Sequence, residues 1–470
     1  MTATPMNPLR DGSHSFGLPL AGIRVLDLTS VWAMPYACGV LTDLGAEVIK
    51  IEGLQRLDTT REAGLYPDTN GGFEPWNNPG TYSVLNRGKR SITLNMASER
   101  GRELFRELVK TADIVVENYT ARVMRNWQLD YDHLKELRPG IIMVSNTGYG
   151  HGGPWESYPV QGTSLEATTG IPNFSGYPGG RPWTIGQSYP DFVAMWHGLF
   201  GVMTALRRRT LTGEGQWIDL GMYSANVALQ GEAMLDYVAN GRLGERMGNR
   251  DHINGVQGAY QTAGDDQWMV VAAATDGEWL AMRGVADASG TLAWTGSPPA
   301  TLAEARARHD EVDEVLSAWA ATLSREAAVE AMRAAGLPAG PCNDARDLLL
   351  DPHMKVRGVY EMVDHFPGTG TGRRPIIGRA FRLSDEEIKV SRPAPKLGEA
   401  NDYVFKEILG LSDSEFDDLV AEKITGTKEP LTEAPTGLPI DALLGVRRIR
   451  VHDPDYIEKL GIVQEGATPD

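Results

Sequence analysis

Cysteine is nearly absent from this chain: Cys38 and Cys342 are the only two in 470 residues. Two thiols so far apart make no disulfide framework and no metal spacing, so a reducing cytoplasm is the expected compartment. The nine histidines show no ligand spacing either, and no metal is expected. No run of 18 or more apolar residues occurs, so no membrane span is expected. Positive charge is scarce, with 45 Lys and Arg against 62 Asp and Glu and a formal net charge of −17. That disfavours nucleic-acid binding, which needs excess positive charge against phosphate. It leaves room for a phosphorylated small molecule held by a local basic patch. Residues 1–18 lack the apolar core of a secretory signal and read as a flexible arm. A P-loop and a Gly-x-Ser-x-Gly elbow are also missing.

What is present is the patterning of an α/β protein, in a chain long enough for two or three domains. Residues 23–28 alternate as a strand, and Met34, Ala37, Cys38, Leu41 and Leu44 follow at helical spacing. Residues 47–52 form a second strand. A basic turn at 86–90 precedes a short strand at 91–94. Ser98 suits the cap of a helix in which Leu104, Phe105, Leu108 and Val109 share one face. A strand at 113–117, a short helix near 133–137 and a strand at 141–145 follow, with Pro139 and Gly140 ending the helix. Strands separated in turn by helices predict a parallel sheet with helices on both faces. The turn after the first strand, Thr29-Ser30-Val31-Trp32-Ala33-Met34-Pro35, holds no glycine. A nicotinamide or flavin site needs glycine there for close approach to the pyrophosphate, so that reading fails.

Residues 148–186 are loop-like and suited to line a pocket. A long helix is expected over 191–209, a strand over 216–220 and a helix from Ser224. Two helices are expected within 302–335, a flexible tip at 367–372 and helices at 401–409 and 412–422. The tail, 425–470, is dotted with Pro and Gly and is expected to wrap a surface.

Asp191 stands directly after Pro190 and before an apolar, helix-compatible stretch. At a helix N-terminus the dipole and free N–H groups favour an ionised carboxylate. Such a group can attack an activated acyl group, or it can be a plain helix cap. Arg61, Lys89, Arg90, Arg122 and Arg125 lie near predicted strand ends and suit a phosphate-bearing ligand. The other reading of each is a solvated charge. His151, in a glycine loop, is either an acid–base group or a polar loop residue.

Taken together these segments resemble the family III CoA-transferases, which include formyl-CoA transferase, the carnitine-pathway CoA-transferase and α-methylacyl-CoA racemase. The marks are residues 20–28, 45–52, 89–92 and 112–119, with Gly213-Glu214-Gly215-Gln216, Gly248-Asn249-Arg250 and Asp351-Pro352-His353. The resemblance implies a Rossmann-like large domain over 19–225 and a linker and small domain over 226–374. Residues 375–470 would return to the large domain and form the tail. It also implies an interlocked, ring-like homodimer. It places Asp191 as the catalytic carboxylate and Val31, Trp32, Ala33, Asn95, Met96, Asn118 and Tyr119 around coenzyme A, with Lys89 nearby. Asn126 stands where the family often carries Arg, so Arg125 or Arg122 is expected to replace it. Thr147 stands in place of a Lys of formyl-CoA transferase, which argues against oxalate and formate. Gln161 replaces the second catalytic His of the racemases and cannot exchange a proton near neutral pH. His197 lies six residues past Asp191, on a different side of the helix.

The implied function is transfer of CoA from an acyl-CoA to a free carboxylic acid, with no cofactor beyond CoA itself. Backbone N–H groups near Gly255 or Gly258 are candidates for oxyanion contacts. An acyl-CoA racemase or isomerase is the alternative on the same fold, and a CoA-thioester-binding regulatory protein is the alternative outside enzymes. Trp32, Trp183 and Trp196 hint at a bulky or aromatic acid.

Overall fold

The structure, a computed structural model, describes residues 17–62, 65–186, 188–251, 255–291, 293–384 and 386–466. The arm expected at 1–18 lies outside the described residues up to residue 16. The chain forms two compact units: Met1–Thr169, Gly186–Glu232 and Leu349–Asp470 make the first, and Gly170–Ile185 with Ala233–Leu348 make the second. Residues 170–185, which the sequence pattern leaves in the large domain, thus cluster with the smaller unit.

The first unit is built on six parallel strands: β1 (Arg24–Asp27), β2 (Glu47–Glu52), β3 (Arg90–Thr93), β4 (Ile114–Glu117), β5 (Ile142–Thr147) and β6 (Trp217–Gly221). Their order is β3-β2-β1-β4-β5-β6. The register pairs Leu26 with both Ile49 and Val115. Strands β1, β2, β4 and β5 are buried along their whole length. Helices must therefore cover both faces, and the charges these strands carry, such as Asp27 and Lys50, are buried in ion pairs.

Alternate residues feed two cores. Leu26, Ile49, Val115 and Met143 pack with Leu104, Phe105, Leu108 and Val109 of helix α2 (Glu99–Thr111). Val25, Val48, Ile114, Val116, Ile142 and Val144 pack on the other face against α1 (Ala33–Asp43) and the long helix Tyr189–Thr212. Ser98 caps α2 by accepting from the Gly101 N–H. Truncating fully buried Phe105 to Ala would cost about 3–5 kcal/mol, the usual range for a large core aromatic.

From β1 the chain moves outward through β2 and β3, then returns to the other side of β1 as β4. The loops after β1 and β4 therefore leave from a switch in strand order, the place where open α/β sheets form their ligand crevice.

The second unit carries an antiparallel sheet of β7 (Val256–Gln261), β8 (Trp268–Ala273) and β9 (Ala339–Pro341), cored around Trp279, Trp319 and Met332. The 302–335 stretch holds three helices rather than the expected two: Leu302–Ala307, His309–Ala320 and Arg325–Ala334. Arg308 leaves helical geometry at φ −115°, ψ 32°, which splits the first segment.

Back in the first unit, the tail lies along residues 69–73. Gly71 N–H donates to Pro435 O at 2.8 Å and Gly437 N–H to Thr69 O at 2.7 Å. The tip at 367–372, expected to be flexible, is tied down. Glu465 accepts from the N–H groups of Gly368 and Gly370, and Thr371 bonds Asn78. Among the described residues no helix is long and apolar enough to cross a membrane.

Candidate active site

The helix Tyr189–Thr212 begins at Ser188, which takes a left-handed conformation with φ +61°. Pro190 pre-sets the first turn, and its carbonyl accepts from Asn226 Nδ2 at 3.1 Å. Asp191 follows in that turn and is only 7 % exposed. Its carboxylate faces the start of the helix Gly162–Thr168, where a Cβ on Gly162 would fall 2.1 Å from Oδ2. The backbone N–H of Ala33, at the N-terminus of α1, lies close enough to draw on the same carboxylate. Burial pushes the Asp191 carboxyl up to about 6, against the pull of the Ala33 N–H. The helix terminus was expected to hold this acid low, but desolvation outweighs it. Near neutral pH the group is still mostly ionised, yet more basic than a solvated Asp. Both properties suit a nucleophile.

The loop from β1 to α1 runs beside it. Asn118, just past β4, accepts from Ser30 N–H at 3.0 Å and donates through Nδ2 to Ser30 O at 2.7 Å. This ties the two diverging loops together at the switch point. Trp32 meets the ring of Phe192 edge-on at 6.4 Å, and Phe192 also meets Tyr36 at 5.6 Å. Asn118 thus holds the loop that carries Val31, Trp32 and Ala33, and Trp32 meets Phe192 next to Asp191. Tyr119 N–H donates to Glu117 Oε2 at 2.8 Å, and its ring packs edge-on to Trp127. Burial raises the Tyr119 hydroxyl to about 12 and the Glu117 carboxyl to about 7. Asn95 and Met96 follow the carboxyl end of β3, which lies two strands from β1. Asn95 N–H donates to Ile424 O at 2.7 Å, and Met96 belongs to the core.

The basic residues are placed differently from the expected phosphate patch. Lys89 is 0 % exposed, and its ammonium donates to Asp27 Oδ2 at 2.7 Å and Asn86 Oδ1 at 2.8 Å. It presents no charge to the crevice. Asp27 in turn holds Thr29 N–H at 2.9 Å, so Lys89 acts on the β1–α1 loop from beneath. Arg61 is buried against Glu52, and Arg90 lies over the Tyr403 ring. Arg122 and Arg125 are exposed, the latter 63 %, with Glu156 at 3.5 Å. The physical reason is pairing: buried Lys89 found Asp27 and buried Arg61 found Glu52, as burial of a charge requires.

Gln161 precedes the helix that Gly162 begins; its backbone N–H donates to Ser164 Oγ at 3.3 Å, and that hydroxyl donates to Gln161 O at 3.0 Å. Thr147 Oγ1 accepts from Gly150 N–H at 2.9 Å. His151 Nδ1 sits 2.9 Å from Asp219 Oδ1, with the ring edge-on to Trp217. His197 Nδ1 donates to Val193 O at 2.8 Å, within its own helix. Trp196 is exposed on that helix, while Trp183, Gly255 and Gly258 belong to the second unit. Among the described residues no group of three or more His, Cys, Asp or Glu is arranged to hold a metal ion. Gly162 escaped the sequence reading, although a glycine directly after a helix cap and inside a predicted loop was a visible oddity.

Comparison with known proteins gives a consistent result. The model of CoA-transferase family III matches residues 20–401. The succinyl-CoA–L-malate CoA-transferase β subunit of Chloroflexus aurantiacus is 32 % identical over 413 residues, covering 87 % of this chain and 98 % of that protein. The succinate–glutarate CoA-transferase of Agrobacterium fabrum is 30 % identical, covering 83 % and 96 %. The crystal structure of a CAIB/BAIF family protein from Brucella suis superposes with a TM-score of 0.75 at 29 % identity, covering 83 % of this chain and 99 % of that one.

Proposed function

Because this chain belongs to CoA-transferase family III, we propose that it moves coenzyme A from an acyl-CoA to a free carboxylic acid with Asp191 as the nucleophile. The observation that carries the reading is the Asp191 carboxylate itself: buried, raised to about 6, and held against a glycine at a helix N-terminus. Its oxygen attacks the donor thioester carbonyl, the C–S bond breaks, and CoA thiolate leaves. The thiolate then attacks the aspartyl carbonyl of the mixed anhydride, and the donor acid departs. The acceptor carboxylate attacks the resulting aspartyl thioester and expels the thiolate. The thiolate closes on the acceptor carbonyl and frees Asp191. Exclusion of water protects the anhydride, which suits a nucleophile as buried as this one.

Val31, Trp32, Ala33, Asn95, Met96, Asn118, Tyr119 and Arg125 are the proposed surroundings of CoA, lying in or next to loops at the carboxyl ends of β1, β3 and β4. Lys89 supports them from below. The relatives' names pair succinyl groups with malate or glutarate. We therefore place succinyl-CoA and dicarboxylic acids first among the substrates. The tryptophans give an aromatic acid less support: Trp32 meets Phe192 beside Asp191, whereas Trp196 is exposed. The test is to incubate the enzyme with succinyl-CoA or acetyl-CoA and a panel of acids. A new acyl-CoA seen by mass spectrometry supports the reading, and hydrolysis alone opposes it.

The proposed assembly is an interlocked homodimer in a reducing cytoplasm. Trp196, Phe200 and Met203 form an exposed apolar face at helical spacing, with Phe200 76 % exposed, a patch that a second chain would cover. Light scattering should give twice the 51.2 kDa chain mass. An active monomer would contradict it.

A further inference from the structure

Val31 holds a backbone conformation that β-branched residues avoid, with φ +76° in the left-handed region. Such strain persists only where the surroundings over-determine it. Here they do. Lys50 Nζ donates to Thr29 O at 2.8 Å, and Asp58 Oδ1 accepts from Val31 N–H at 3.2 Å. Asn118 holds both the N–H and the carbonyl of Ser30 between them. Lys50 and Asp58 are bonded to each other at 2.8 Å, with side chains 0 % and 1 % exposed. Thr60 N–H and Oγ1 fix Asp58 further at 3.0 and 2.8 Å.

A buried ion pair is poor value as a stabiliser, since apolar residues of similar volume often serve as well or better. This pair does something an apolar pair cannot: its two charged ends grip two backbone groups of one loop. Directly beyond Val31, that loop sets the Trp32 ring edge-on against Phe192, the neighbour of Asp191, at 6.4 Å. We propose that Lys50 and Asp58 are positioning residues of the transfer reaction, forcing Val31 into its strained conformation so that the β1–α1 loop is held in place beside Asp191. The inference rests on the reading of Asp191 as nucleophile.

Asp58→Ala removes the Val31 clamp. Single-turnover formation of the Asp191 adduct, trapped with hydroxylamine, should slow by about tenfold to a hundredfold, the range that release of such strain allows. kcat should fall with it, and KM for the acyl-CoA should change less. Asp58→Ala/Val31→Gly should recover much of the loss, because glycine adopts positive φ without a clamp. If Asp58→Ala does not fold, Lys50→Met/Asp58→Leu, which leaves no buried charge, is read in the same way. An adduct rate within about twofold of wild type, or a loss that Val31→Gly does not lessen, overturns the proposal. Wild-type enzyme that forms no adduct at position 191 would instead overturn the nucleophile reading beneath it.

Discussion

Gly162 stands so close to Asp191 that a Cβ at position 162 would lie 2.1 Å from Oδ2 and 3.3 Å from the carboxyl carbon. The atom it would strike is the end of a side chain, so the fold can yield by turning the carboxylate away. Gly162→Ala should therefore spare stability and injure chemistry. A displacement of the reacting atom by about 1 Å commonly costs on the order of a hundredfold in rate. The expected result is a loss of that size in kcat with an unchanged melting temperature. A fully active Gly162→Ala enzyme would show that the carboxylate acts from another position.

The pH profile follows from the same carboxylate. Attack requires the ionised form, and burial raises the group to about 6. The acylation rate should rise about tenfold per pH unit up to that point and level off above it. The stability effect has the opposite sense. An acid raised in the folded state adds stability at low pH and loses it as pH climbs from the unfolded value, 3.8, to about 6. Asp191→Asn lacks this titration, so its melting temperature should gain on wild type between pH 4 and pH 7. Parallel melting curves across that window would contradict the raised carboxyl.

Racemisation is the neighbouring chemistry on this fold, and Gln161 argues against it. Gln161 stands directly before the helix that Gly162 begins, and its amide cannot exchange a proton near neutral pH. Incubating the enzyme with a 2-methylacyl-CoA in heavy water should leave the α-carbon largely unlabelled. Rapid deuteration without an acceptor acid would identify another base and favour the racemase reading.

Much of this was legible in the sequence because the relevant signals are local. The strands announced themselves by alternation, as at 23–28, or by a short apolar core, as at 113–117, and Pro190 marked the start of the helix that carries Asp191. What escaped depends on partners distant in sequence. Lys89 meets Asp27 62 positions away, and Arg374 meets Asp68 306 positions away. Cations that look solvated or ligand-binding in a list of residues thus prove to be internal pairs. The Asp191 carboxyl was misjudged for a related reason: the helix dipole is visible from the sequence, whereas desolvation is set by tertiary packing. The tail's pairing with residues 69–73 also lay beyond local pattern.

The nucleophile is the centre of the account, and one experiment reaches it directly. Wild-type enzyme and Asp191→Asn are each mixed with acyl-CoA and hydroxylamine, and the peptide carrying residue 191 is weighed by mass spectrometry. Wild type should gain a hydroxamate at Asp191. The variant, of nearly the same shape, should gain none and lose more than about a thousandfold in turnover while still binding CoA. Near wild-type turnover in Asp191→Asn, with no adduct on that peptide from either protein, would contradict the covalent mechanism.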